Sequence, residues 1–235
     1  MIFPKMAIHT FSGAIVGTIP SPQALAVALR LNKNVVDFFE LRVEHFSEAA
    51  DLDHLERCLL QLHAPLIVTV RHPLEGGANA LTFRQRRALF QRFLPYAKLI
   101  DIELRSASRL KDVMEEAKDQ DIGIILSHHD FHKTPPLTRL HTLRRKAADA
   151  GCAVFKVATT AQTAQDLATL LRFMTDARPP VPALAVMGMG TFGKLSRVTL
   201  AAAGSVLNYS YLEKAQVPGQ WPAALLKERL AELVS

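Results

Sequence analysis

The stretch CAVFKVA (152–158) sets a single lysine, Lys156, in an otherwise apolar run. Burial and nearby positive charge both disfavour the ammonium form of a lysine, which frees the amine as a nucleophile. Such an amine condenses with a ketone or aldehyde to an imine, an electron sink for C–H or C–C cleavage. That chemistry needs a proton shuttle. His129, near the end of GIILSHHD (123–130), is the natural candidate. A snorkelling or salt-bridged lysine is the plainer alternative.

Other apolar runs end in polar residues spaced i, i+2: Glu40 and Arg42, Thr69 and Arg71, Asp101 and Glu103, Ser127 and His129. Met187 and Met189 keep the same spacing. In a strand both members of such a pair line one face. Buried charges are costly unless paired or used, so a series of these pairs predicts a shared cavity. Any one pair alone could equally form an ion-pair plug or point outward. His128 and His129 are strand neighbours facing opposite sides, so they do not share an ion. With no His-x-His or carboxylate-rich ligand set, no metal is expected.

The elements that must position these groups form a repeat. Apolar, β-branched runs at 14–19, 35–43, 65–72, 99–104, 123–130, 152–159, 183–189 and 204–212 are each followed by an amphipathic segment. Ser21-Pro22 suits a helix start, with a hydroxyl cap and Pro in the first turn. Eight β-then-α units predict parallel strands with right-handed crossovers, closing as one (β/α)₈ barrel domain over residues 1–235. Active groups then belong at the C-terminal ends of the strands.

Gly188, Gly190 and Gly193 form a G-x-G-x-x-G, as in a dinucleotide turn. However, they follow the seventh strand, and position 208, about twenty residues on, is Asn where that fold needs an acid. No nucleotide is expected. An anion site of backbone N–H groups after strands 7 and 8 is expected instead, with Arg197 beside it for a carboxylate or phosphate.

The net charge is +6, but the basic residues of FRQRRALFQRF and RLHTLRRKAADAG read as solvated helix faces, and no nucleic-acid motif accompanies them. No apolar run approaches the ~18 residues of a membrane span. Cys58 and Cys152 lie far apart without zinc spacing, and MIFPKMAIHTFSG is a poor secretory signal. A soluble cytoplasmic protein with free thiols is expected.

ELRVEHF (40–46), VTVRHPLEGG (68–77), DIEL (101–104), SHHDFHKTP (127–135), FKVA (155–158), MGMGTFGKLSR (187–197) and PGQ (218–220) occur in an order and spacing that resemble the type I 3-dehydroquinate dehydratases. These are Schiff-base lyases of the shikimate pathway, the route to chorismate and the aromatic amino acids. The resemblance implies that Lys156 forms an imine with the C3 ketone of 3-dehydroquinate. His129 removes the C2 proton and protonates the departing C1 hydroxyl, and Glu75 orients His129. It further implies that Arg197 pairs with the substrate carboxylate while Gln220 closes over it. Glu40, Arg42, Arg71, Asp101 and Glu103 surround the hydroxyls and the lysine, and Met187, Met189 and Tyr209 form the wall. No cofactor beyond the covalent imine is implied. The family is often dimeric.

Two departures stand out. Gln216-Val217 replaces the usual Ser-Ala of the closing loop, putting Gln216 where a hydroxyl normally contacts substrate. Gly17 stands where some relatives have Ser. A class I aldolase would also account for Lys156, and a non-catalytic ligand-binding relative for the fold. Neither accounts for ELRVEHF, EGG and PGQ together with Lys156 and His129.

Overall fold

The computed structural model describes residues 13–46, 49–176 and 182–233. The N-terminal segment read above for a signal lies outside these, apart from Gly13. Eight strands alternate with eight helices: β1 (Ala14–Ile19), α1 (Pro22–Arg30), β2 (Phe38–Arg42), α2 (Ala49–Leu59), β3 (Leu66–Thr69), α3 (Phe83–Phe93), β4 (Ala97–Glu103) and α4 (Lys111–Asp119) form the first half. The second half is β5 (Gly123–Asp130), α5 (Leu137–Asp149), β6 (Val154–Thr160), α6 (Ala164–Thr175), β7 (Ala183–Met189), α7 (Gly193–Ala202), β8 (Leu207–Tyr211) and α8 (Ala223–Leu233).

The strands run in parallel, in the order β7-β6-β5-β4-β3-β2-β1-β8. At the seam, the Val206 N–H donates to the Leu184 carbonyl at 2.9 Å, and Ser205 Oγ accepts from the Val186 N–H at 3.0 Å. These bonds bring β8 against β7 and make the sheet a (β/α)₈ barrel.

Alternation along the strands builds two cores. Outward residues such as Phe39, Val68, Ile100, Leu126 and Phe155 pack under the helices with Phe90, Phe93, Leu140 and Phe173. Each such large side chain, fully buried, contributes roughly 1.5–3 kcal/mol. Inward residues fill the barrel: Val16, Ile67, Ile125 and Ala185 from odd strands, Phe38, Leu99, Val154 and Leu207 from even ones.

Helix starts follow local chemistry. Ser21 Oγ accepts from the Ala24 N–H with Pro22 opening α1, and Thr82 with Gln85 and Thr163 with Asp166 form capping boxes. Several strands are shorter than their apolar runs. β3 ends at Thr69, so Arg71 leaves the sheet and reaches over the barrel's end.

Candidate active site

Two residues beyond Phe38, Leu99, Val154 and Leu207, the even strands contribute Glu40, Asp101, Lys156 and Tyr209. A barrel normally fills such a layer with branched apolar side chains. Here Lys156, 4% exposed, stands at its centre. Its Nζ donates to Asp101 Oδ2 at 2.8 Å and to Glu40 Oε1 at 3.5 Å, and lies 3.7 Å from the centroid of the Tyr209 ring. Burial pushes the Tyr209 phenol well above its usual range, with Glu40 and Asp101 adding to the effect, so it stays neutral.

Arg71 grips Asp101 with both terminal nitrogens, at 2.9 and 2.8 Å, and also meets Ser127 Oγ at 2.6 Å and Glu103 Oε1 at 3.2 Å. Burial opposes its charge, but Asp101 and Glu103 outweigh burial and hold its pKa well above the ordinary value. Burial likewise pushes the Asp101 carboxyl up, yet Arg71 and Lys156 bring it well below the usual carboxylate range.

On the next face, Pro73–Glu75 forms a single 3₁₀ turn, capped by His72 Nδ1 on the Leu74 N–H and ended by Gly76 at φ +82°. A side chain at Gly76 would also strike Phe131, whose Cζ lies 2.7 Å from an ideal Cβ. The turn aims Glu75 at His129: Oε2 accepts from the His129 backbone N–H at 3.0 Å and lies 2.9 Å from Nδ1. Burial, opposed by Arg71, raises the Glu75 carboxyl to about 7. Burial, then Arg71 and Lys156, push His129 well below its ordinary value, so the imidazole is neutral near pH 7. A neutral ring donating Nδ1–H to ionised Glu75 leaves Nε2 as the free base.

Arg197 is 3% exposed. Its Nη1 donates to the Tyr209 carbonyl at 2.7 Å and its Nε to the Gly219 carbonyl at 3.0 Å. Burial lowers its pKa to about 10. Among the described residues it forms no ion pair with a carboxylate, so an anionic ligand would complete its environment.

The loop after β8 lies against the turn after β7. Pro218 carbonyl accepts from the Gly190 N–H at 3.1 Å, and an added Cβ on Gly193 would stand 2.7 Å from Gly219 Cα. Gln220 Oε1 accepts from the backbone of Gln216 at 2.6 Å, and the Trp221 indole donates to the Lys194 carbonyl at 2.9 Å.

These groups surround a cavity whose empty space, counted to its open mouth, is about 810 Å³. Glu40, Arg42, Arg71, Glu75, His129, Lys156, Met187, Met189, Arg197, Tyr209, Gln216 and Gln220 all line it.

The sequence profile of the type I 3-dehydroquinases matches residues 15–233. A 3-dehydroquinate dehydratase of Thermococcus gammatolerans is 30% identical over 220 residues, spanning 93% of this chain and 98% of its own. One from Aquifex aeolicus is 33% identical over 189 residues, 79% of this chain and 83% of that one. The chain belongs to the type I 3-dehydroquinase family.

The crystal structure of the Aquifex aeolicus 3-dehydroquinate dehydratase superposes with a TM-score of 0.79 at 30% identity, covering 93% of this chain and 98% of that one. A Clostridium difficile type I 3-dehydroquinate dehydratase with covalently modified comenic acid, at 24% identity, shares the fold with a TM-score of 0.84 over 94% of this chain and 92% of its own.

Within this type I 3-dehydroquinase, some residues sit differently from their sequence-based expectation. Asp101 and Glu103 do not line the cavity, being turned behind it against Arg71. After β7, the N–H groups of Gly188, Gly190, Thr191 and Gly193 already donate within the protein, so these four offer no anion cradle, and the buried charge beside them is the Arg197 side chain. The glycines instead permit the two loops to touch. Gln216 reaches the rim, where its side chain donates to the Lys214 carbonyl at 3.0 Å. His45, Thr18 and Phe131 also line the cavity, although no spacing argument selected them.

FRQRRALFQRF is not uniformly solvated. Arg86 is fully buried, with Nη2 on Glu103 Oε2 at 2.6 Å, Nε and Nη2 on the Val70 carbonyl at 2.9 and 2.7 Å, and Nη1 on Ser106 Oγ at 3.2 Å. Arg144 of α5 is buried too, at 7% exposure. The i, i+4 relation of Arg86 to the buried Phe90 was the one signal for the first of these. Among the described residues, no group of three or more His, Cys, Asp or Glu is arranged to hold a metal ion, and no helix is long and apolar enough to cross a membrane.

Proposed function

We propose that the chain dehydrates 3-dehydroquinate to 3-dehydroshikimate through an imine on Lys156. The carrying observation is Lys156 itself, buried in a polar layer of an otherwise apolar barrel and 2.8 Å from Asp101 Oδ2. Family membership supports the reading, as does a cavity large enough for a polyhydroxylated six-membered ring.

In the proposed sequence the Lys156 amine adds to the C3 carbonyl, and the carbinolamine loses water to give a protonated imine. His129 takes the C2 proton through Nε2, and the electrons of that C–H bond move into the C2–C3–N system as an enamine. The enamine expels the C1 hydroxyl, which takes the proton back from His129 and leaves as water. Hydrolysis consumes one water, returns Lys156 and releases the product, so one water is lost overall.

Glu75 holds the His129 ring, and Arg197, which has no carboxylate partner among the described residues, receives the substrate carboxylate with Gln220 above it. Glu40, Arg42 and Arg71 meet the ring hydroxyls, Asp101 and Glu103 hold Arg71, and Gln216 closes the rim. Tyr209, Met187 and Met189 form the wall. The resident imine removes any need for a further cofactor, and the setting is a reducing cytoplasm. Borohydride added during incubation with 3-dehydroquinate, followed by peptide mass mapping, tests the reading: a reduced adduct on Lys156 with product in the unreduced control is the expected result. Folded protein that gave no adduct and no product would sink it.

A further inference from the structure

The buried ions form an alternating chain that begins outside the barrel. Arg86 of α3 meets Glu103 at 2.6 Å, Glu103 meets Arg71 at 3.2 Å, and Arg71 meets Asp101 at 2.8 Å. Asp101 meets Lys156 at 2.8 Å, and Lys156 meets Glu40 at 3.5 Å. Cations and anions alternate, so the chain is neutral only while Arg86 is in place. Every member is at most 4% exposed, where an unbalanced charge is costly.

Arg86 also holds backbone. Its fork binds the Val70 carbonyl, and Glu103 Oε1 accepts from the His72 N–H at 2.8 Å. The His72 carbonyl in turn accepts from the N–H groups of Glu75, at 2.9 Å, and Gly77, at 3.1 Å. Residues 70–72 are thus clamped from α3 and β4 at the stem of the turn that presents Glu75 to His129. An aliphatic side chain would fill the same space without desolvating a guanidinium, so packing alone does not account for this residue.

We propose that Arg86 is a positioning residue: by neutralising Glu103 and clamping the Val70 carbonyl, it keeps Arg71 on Asp101 and the Glu75 turn in register with His129. The role in turnover rests on the dehydratase reading above. The role in the charge chain does not.

His129 reports on the chain without substrate. It faces Glu75 from the β3–α3 turn, Arg71 past β3, Asp101 on β4, Lys156 on β6 and Arg42 on β2. Arg86→Gln removes one positive charge but keeps amide donors, which leaves the chain net negative and favours the imidazolium. An NMR titration of ¹⁵N-histidine protein should show the His129 midpoint rising by about half a unit or more. kcat should fall about tenfold at nearly unchanged KM. Arg86→Lys keeps the charge and loses the fork, so its His129 midpoint should stay at the wild-type value while kcat falls several-fold. The double variant Arg86→Gln/Glu103→Gln restores neutrality and should return the midpoint towards wild type.

An unmoved midpoint in folded Arg86→Gln overturns the electrostatic part. Should that protein not fold, wild-type kcat in Arg86→Lys overturns the clamp. Wild-type protein without turnover would remove the dehydratase reading, while the titration would still decide whether Arg86 acts on the site.

Discussion

Lys156 Nζ and Arg71 Nη2 share one acceptor, Asp101 Oδ2, each at 2.8 Å. The carboxylate is therefore held from one side by a permanent cation while it holds the amine on the other. Removing the amine leaves Asp101 still paired with Arg71. Lys156→Ala should accordingly fold, lose turnover by at least about 10³-fold and give no borohydride adduct by mass mapping. An adduct at another lysine, with activity kept, would move the chemistry elsewhere.

His129→Ala leaves Lys156 and its partners in place and removes the shuttle. Turnover should fall by about 10²–10⁴-fold, while the substrate imine still forms and accumulates. Stopped borohydride trapping should then catch more adduct per mole of protein than in the wild type. Near-wild-type turnover would assign the proton transfers to another group.

Glu75 sets a pH dependence. Its carboxyl is raised to about 7, so below that pH it is protonated and no longer the acceptor that holds Nδ1–H towards it. As pH rises through about 7 it ionises, the Nδ1–H···carboxylate bond forms, and Nε2 becomes the base. kcat should rise across that window. Glu75→Gln should flatten this limb and lower the plateau. The sign for stability is opposite: a carboxyl raised in the folded state favours folding most at low pH, and that contribution is lost as pH climbs from about 4.5 to about 7.

Arg197 has donors satisfied by two carbonyls and a charge met by no carboxylate among the described residues. Arg197→Met should raise KM about 10–100-fold with a smaller change in kcat, the loss of a charge-assisted pair. Because burying an unpaired guanidinium is itself unfavourable, the ligand-free melting temperature should change little. A large fall in melting temperature with KM intact would make Arg197 a structural residue.

Gly193 packs on Gly219, backbone against backbone. Gly193→Ala brings a methyl into that contact and should lift the loop after β8, giving faster proteolysis around residues 213–220 and a KM raised about tenfold. Unchanged proteolysis and kinetics would show that the loop contact is dispensable.

The repeat of apolar runs and amphipathic segments determined the barrel, because period-2 and period-3.6 patterns are local and each strand's inward parity follows from them. That parity also put Glu40, Arg42, Arg71, His129 and Lys156 on one side. Lys156 is legible because a lysine in CAVFKVA conflicts with the burial its neighbours dictate, and Glu75 only through the resemblance of its segment to a family. What tertiary structure decided is which charges face the cavity and which face one another. Asp101 and Glu103 turn behind it because Arg71, freed from the sheet after Thr69, folds back onto them. Arg86 is drawn inward from a helix that reads as solvated, because the Val70 carbonyl and Glu103 are brought beneath it by residues 16 and 17 positions away. The glycines after β7 look like a nucleotide turn until the loop after β8 is folded against them. In each case the deciding partner is remote in the chain, and pairing between remote charges leaves no periodicity in a sequence.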